Sequence, residues 1–293
     1  MSKLKELKDL GISAVQFRRI LAGRRAKPHI LKTHITDKKF TFGVVSDTHL
    51  CSTEERLNEL HTFYDICRRS GIRHIVHAGD LLSGDHVYKG QENEVKVFGA
   101  QKQVQYFINY YPKVKDIKTY YILGNHDIDF WLRAGVDIGT LIAEDRPDME
   151  YLGQWSGDIV FGNVRVRLHH GDRGGSYAIS YQSQKIIERL QPGKKPHIMI
   201  FGHWHTALYF FYRNVHVFHG GTFEGQGTLG VRMGSMPAIG GWTIKLHLGD
   251  EKTPIVSMTP TWIPFFEPSK SERILTTNQA NPKPKDKQWR KKC

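Results

Sequence analysis

"KTYYILGNHD", residues 118–127, is an apolar run that stops at Gly124 and gives way to an amide, an imidazole and a carboxylate in succession, Asn125, His126 and Asp127. A short apolar run bounded by glycine reads as a buried strand. Polar residues at its end belong either to an ordinary turn or to a site that several strand ends build together. The same arrangement recurs four times: "FTFGVVSDTH" (40–49) ends in Asp47-Thr48-His49, "IRHIVHAGD" (72–80) in Gly79-Asp80, "DIVFGNVRVRLHHGD" (158–172) in His169-His170-Gly171-Asp172, and "PHIMIFGHWH" (196–205) in Gly202-His203-Trp204-His205. Carboxyl ends of parallel strands converge on one edge of a sheet, so these five clusters are expected to meet in one site.

Between the strands the spacing turns helical. Ser52 and Glu55 form a capping-box pair ahead of Leu57, Leu60, Tyr64 and Cys67, and residues 96–110 and 177–190 carry further helices. The βαβαβ order of the first half predicts parallel neighbours with helices outside. The second half reads as hairpins turning at Gly162-Asn163, near Arg213-Asn214 and near Gly249-Asp250. The fold class expected is α/β, two facing sheets with helices on both outer faces.

Asp-x-His and His-x-His pairs are weak signals alone, because alternate residues of an extended segment share a face. Joined with a lone Asp, an Asn and another His, they offer oxygen and nitrogen donors, without thiolate, for two divalent cations. A carboxylate between two such ions offsets their repulsion. Two ions about 3.5–4 Å apart suit hydrolysis of a phosphate ester.

The 293-residue chain, 39% hydrophobic and 11% aromatic, suits a packed globular core. No run approaches the roughly 18 apolar residues of a membrane span, and the N-terminus lacks the apolar core of a secretory signal, so the expected location is cytoplasmic. Cys51, Cys67 and Cys293 are too few and too scattered for a disulfide framework, and reduced thiols are expected. The net charge of +13 lies entirely at the ends: residues 1–36 carry nine Lys/Arg against two acids, residues 270–293 eight against two, and the rest is neutral. Basic ends suit a polyanion such as nucleic acid, or serve solubility. Residues 4–28 also resemble a helix-turn-helix pair, with Arg18 and Arg19 on a basic second helix. The domains expected are a basic N-terminal extension (1–36), a catalytic domain (37–266) and a basic, aperiodic tail (267–293).

The ordered set "SDTHL", "AGDLL", "LGNHD", "LHHGD" and "FGHWH" resembles the calcineurin-like metallophosphoesterases, whose pattern is D-x-H, GD, GNH[DE], H and GHxH. The resemblance covers residues 42–205 with every ligand position filled. It implies a four-layer αββα sandwich of two mixed β-sheets flanked by helices. It also implies that Asp47, His49 and His205 hold one metal, that Asn125, His170 and His203 hold the other, and that Asp80 bridges them. Mn²⁺ is the ion expected, with Fe, Zn or Ni as alternatives. His126 would contact the phosphate and protonate the leaving alkoxide. Asp127 would orient that imidazole, or else cap a helix. Arg173 and Asp172 could face the cleft, His169 is structural, and the polar stretch 81–99, with Tyr88, Lys89 and Gln91, either lines the cleft or merely connects. "HGGTFEG" (219–225) departs from the small Asn-Pro-Gly-Ser-like turn of many family members and leaves the pocket edge open. The function expected is a nuclease or phosphodiesterase acting on nucleic acid. The alternatives are a phosphohydrolase of small nucleotides or phosphoproteins and a non-catalytic scaffold, as in the retromer subunit of the family.

Overall fold

The apolar segments assemble into two six-stranded sheets in a computed structural model, which describes residues 30–171, 174–191 and 193–266. The helix-turn-helix reading, the basic tail, Asp172 and Arg173 lie outside the described residues. In the first sheet β2 (Lys39–Val45), β3 (His74–His77), β4 (Lys118–Leu123) and β5 (Met149–Gln154) run parallel, and β11 (Gly240–Leu248) and β12 (Ile255–Pro264) continue it antiparallel beside β2. Parallel neighbours need crossovers long enough for a helix. Here these are α1 (Leu57–Arg69), α2 (Ala100–Tyr110), α3 (Asn125–Ala134) and α4 (Ile138–Asp145).

The second sheet runs β1-β6-β7-β8-β10-β9, from β1 (Ile30–Thr33), β6 (Ser156–Phe161), β7 (Val164–His170), β8 (Ile198–Gly202), β9 (Ala207–Tyr212) and β10 (Val215–Gly220). Its β1–β6, β7–β8 and β8–β10 pairs are parallel, and β6–β7 and β9–β10 are antiparallel. Strand alternation sends each sheet's residues to two cores. Phe42, Val44, Val76 and Ile122 meet Ile159, Val166, Leu168, Ile200 and Phe218 between the sheets, while Val45, Ile75, Tyr121 and Leu123 face Leu60, Phe63, Tyr64 and Phe107 of the first helical layer. On the far side α5 (Tyr181–Glu188) seats Ile187 against Met199, Phe201, Val215 and Val217. Helices, sheet, sheet and helix make the expected four layers.

Several boundaries moved for local reasons. The Ser52–Glu55 pair does not start a helix: Ser52 Oγ accepts from Glu54 N (3.1 Å) and the Glu55 carboxylate from Cys51 N (2.7 Å), so a closed loop forms and α1 begins after Arg56. The helices expected over 96–110 and 177–190 are confined to Ala100–Tyr110 and Tyr181–Glu188. The Arg213-Asn214 hairpin has both turn residues left-handed (φ 48° and 64°), as a two-residue primed turn requires. The last hairpin instead spans Gly249–Pro254, where Asp250 Oδ1 accepts from Lys252 N and Thr253 N. Strand β1 lies within the segment expected as an extension and pairs with β6 in the sheet. Helices α3 and α4, strand β5 and a short α6 (Thr228–Met233) were not expected. Among the described residues no helix is long and apolar enough to cross a membrane.

Candidate metal centre

The five polar clusters do meet, and they come from both sheets. Asp47 and His49 follow β2, Asp80 follows β3, Asn125 opens α3 after β4, His170 ends β7, and His203 and His205 follow β8. Tight chain reversals bring them inward. Asp47, His49, Asp80, His203 and His205 all have positive φ (49°, 41°, 54°, 83° and 51°), so five of the seven expected ligands sit in the left-handed region. Each such residue costs on the order of 1 kcal/mol. Backbone strain gathered on one group of side chains is the mark of a functional site. Gly124 permits the approach, since a Cβ there would run into the Asp80 carboxylate.

Two donor groups lie side by side. In the first, His49 Nε2 stands 3.1 Å from His205 Nε2 and 4.0 Å from Asp47 Oδ1, and His205 Nε2 is 3.5 Å from the same carboxylate oxygen. In the second, Asn125 Oδ1 lies 3.0 Å from His170 Nε2 and 2.9 Å from His203 Nδ1. Asp80 Oδ2 sits between them, 3.8 Å from His49 Nε2 and 3.1 Å from His170 Nε2. Outer contacts fix the orientation. His170 Nδ1 donates to the Ala78 carbonyl (2.8 Å), which leaves Nε2 as the free donor atom, and His203 N donates to Asp47 Oδ1 (2.8 Å). His77 bonds Thr48 Oγ1 (3.0 Å) and accepts from Gly79 N (3.2 Å), so it braces the two turns that carry Asp47 and Asp80.

The charges call for cations. Asp47 and Asp80 are buried, and among the described residues neither has a Lys or Arg partner. Burial pushes the Asp47 carboxyl up, but the hydrogen bond and charge of His205 outweigh it and hold it at about 2. Burial likewise opposes ionisation of Asp80, and the charges of His170 and His126 overcome it, leaving its pKa well below the usual carboxylate range. Burial disfavours charge on His170, yet Asp80 raises its pKa to about 9. His203 is pushed down to about 4 by burial and then by His170. Burial also opposes charge on His205, but the hydrogen bond and charge of Asp47 raise its pKa. Seven oxygen and nitrogen donors in two groups around one shared carboxylate fit two divalent cations.

His126 lies at the first group, its ring 4.5 Å from that of His49. Its Nδ1 donates to the Ser83 carbonyl (2.5 Å), and Gln91, which also donates to that carbonyl (2.6 Å), lies alongside. This fixes the tautomer and leaves Nε2 as the other ring nitrogen. Its backbone N–H donates to Asp80 Oδ1 (2.9 Å). The expected Asp127–His126 hydrogen bond does not form. Asp127 instead accepts from Leu81 N (3.1 Å), Leu82 N (2.9 Å) and Gly124 N (3.0 Å), joining the start of α3 to the Asp80 turn. It is not the N-cap, which is Gly124, but caps α3 from the third helical position by accepting from Gly124 N. From the 81–99 stretch, Tyr88 stacks edge-on 6.2 Å from His126, and Gln91 is buried against it.

One nearby carboxylate had no sequence signal. Glu224 Oε2 is 3.7 Å from His49 Nε2, in the "HGGTFEG" stretch. That stretch is tied to the site: Thr222 Oγ1 donates to the Asp47 carbonyl (2.7 Å), Phe223 N to the same oxygen (3.1 Å), and Gly225 N to the Glu54 carbonyl (2.8 Å). His169, adjacent to His170, turns the other way and packs on Phe201. His219 bonds Thr206 and Ser183 behind Trp204, away from the cluster.

Residues 40–235 match the calcineurin-like phosphoesterase superfamily domain, and the chain belongs to that family. A curated relative, the DNA polymerase II small subunit of Methanothermobacter thermautotrophicus, is 24% identical over 200 residues, which is 53% of this chain. The chain spans only 39% of that relative's length. Solved structures it is similar to include a novel archaeal phosphodiesterase (15% identity, TM-score 0.44, 76% of this chain and 100% of that one). Others are zinc-complexed Vps29 from Entamoeba histolytica (12%, 0.38, 77% and 99%) and a putative 5′-nucleotidase from Staphylococcus aureus (12%, 0.41, 79% and 55%).

Proposed function

We propose that the protein hydrolyses phosphodiester bonds in nucleic acid with two divalent cations, Mn²⁺ foremost. The observation that carries this reading is the convergence of seven metal donors around Asp80 with His126 beside them. Asp47, His49 and His205 would hold one ion, Asn125, His170 and His203 the other, with Asp80 shared. When bound, the two ions supply Lewis acidity and positive charge opposite the phosphate oxygens. The chain supplies the rest. His126, held through Nδ1 by Ser83, presents Nε2 to the leaving oxygen; with a second proton on the ring at Nε2 it would pass that proton to the departing alkoxide and revert to the neutral Nδ1–H form.

Glu224 favours a diester. A monoester near neutral pH carries close to two negative charges, a diester one, so a carboxylate beside His49 repels the monoester more. The basic chain ends support a nucleic-acid substrate, as does the similarity to a subunit named for a DNA polymerase. A substrate panel tests the reading: DNA and RNA strands, mononucleotides, and aryl phosphate mono- and diesters, each with Mn²⁺. Cleavage of strands and aryl diesters is expected. Turnover confined to monoesters would move the function to a small-molecule or phosphoprotein phosphohydrolase.

A further inference from the structure

A cavity of about 590 Å³ lies on the outer face of the second sheet beneath α5 and shares a wall with the metal centre. His170, a donor of the second metal group, lines it, and so does Trp204, which stands between His203 and His205 in the chain. Volumes of roughly 300–1,000 Å³ hold small organic ligands. Its other walls are chemically distinctive. Trp155 and Trp204 flank it, with Tyr181 at the α5 side, and Trp204 is backed by Phe201 and His219 (ring centroids 5.6 and 4.9 Å apart). Arg167, Lys185 and Arg189 supply cations, and among the described residues no carboxylate lines the cavity.

Among the described residues the positive charge is only partly offset nearby. Asp158, the partner of Arg167, is shared with Arg165, so two guanidinium groups face one carboxylate. Glu188 is likewise shared between Lys185 at 3.5 Å and Arg213 at 3.9 Å. Among the described residues Arg189 has no ion pair. A concave, aromatic and cationic space suits a ligand that is flat and apolar at one end and anionic at the other. A nucleotide is such a ligand: its base stacks on indole and its phosphate meets Lys and Arg.

We infer that this cavity takes one unpaired nucleotide of the substrate strand, its base against Trp155 and Trp204 and its phosphate toward Lys185 and Arg189, while the neighbouring phosphodiester lies at the metals. This rests on the nucleic-acid reading and sharpens it. A base inside a cavity cannot stay stacked in a duplex, so single strands or frayed ends are the preferred substrate.

The test uses the full chain and the double variant Lys185→Glu/Arg189→Glu, both exposed positions on or just after α5. Binding of a labelled oligodeoxythymidylate is followed over a salt series in EDTA, so that no hydrolysis occurs, with competition by thymidine monophosphate and by ribose phosphate. Wild type is expected to prefer the single strand to a duplex of the same length and to yield to the nucleotide but not to the sugar phosphate. The variant should bind the strand at least tenfold more weakly, with a salt slope smaller by about 1.4, roughly 0.7 per lost cation. Its urea-unfolding midpoint should match that of wild type, which shows that it is folded. Equal affinity and slope for both proteins, or competition by the sugar phosphate as strong as by the nucleotide, would overturn the cavity assignment even if DNA is cleaved. Nucleotide binding lost in the variant, in an enzyme that cuts no nucleic acid, would retain the cavity as a nucleotide site and reject the nuclease reading.

Discussion

His126→Ala separates a proton donor from a metal ligand, and the structure gives grounds for expecting a clean result. The side chain is half-buried, and its backbone N–H, not its ring, holds Asp80 Oδ1 at 2.9 Å. Alanine keeps that N–H, so the shared carboxylate stays in place. What disappears is the imidazole fixed by Ser83 and Gln91. Loss of general acid catalysis typically costs about 10²- to 10⁴-fold, or about 3–5 kcal/mol in the barrier. That loss should appear for a poor leaving group such as a nucleoside alkoxide. It should shrink below about tenfold for p-nitrophenolate, which leaves without a proton. The assay compares kcat on an oligonucleotide and on bis(p-nitrophenyl) phosphate, alongside metal content of the purified variant. His126 also groups with His49 and Asp80, their ligand atoms lying within 4.8 Å of one another, so a metal-holding role is the alternative. Loss of one ion per chain, or equal losses on the two substrates, would refute the acid role.

Other predictions reach the rest of the site and the fold. Glu224→Gln should raise kcat/KM for aryl monoesters relative to diesters on the order of tenfold, the effect of removing one charge about 6 Å away at an intermediate dielectric; an unchanged ratio in parallel assays would remove Glu224 from substrate selection. Asp127→Ala strands three buried N–H groups, so it should destabilise the protein by about 3 kcal/mol or more in urea titration and weaken metal binding with it. Asp158→Asn tests a pH dependence away from the metals. Burial raises that carboxyl, but Arg167 and Arg165 lower it more, so its folded pKa lies below its unfolded value. Its contribution is therefore complete above about pH 4 and lost as pH falls through the folded value. The variant should lose about 1–3 kcal/mol at pH 7, discounted because Arg165 is 26% exposed, with the gap to wild type closing in acid; a gap independent of pH would rule out the ion pair as its source.

The site was legible because its chemistry sits where short apolar strands end. Asp47, Asp80 and Asn125 each follow a strand that alternation or glycine punctuation marks, and His170 and the His203–His205 pair close two more. Two facing sheets were expected, but which strands pair within each was not, because strand pairing is a non-local choice. Strand β1 was obscured by its basic surroundings and by its sequence Ile-Leu-Lys-Thr, in which apolar and polar residues do not alternate although their exposure does. Helices α3 and α4 carry usable signals: Asp137 caps α4 by accepting from Gly139 N and Thr140 N, and Gly135 ends α3 in the left-handed region. Glu224 and the bracing role of Asp127 had none. A lone acid in a glycine-rich turn, or beside a histidine, acquires its role from distant partners: Leu81 and Leu82 for Asp127, 46 and 45 positions away, and His49 for Glu224.

Metal titration of the chelated protein, with activity followed on a single-stranded oligonucleotide, tests the central claim most directly. Calorimetry should show two Mn²⁺ per chain, with strand cleavage appearing as the second ion binds. Asp80→Asn, which removes the shared carboxylate charge, should fail to load both ions and lose turnover. Full cleavage with one ion, with none, or in the Asp80→Asn protein would contradict a binuclear phosphodiesterase.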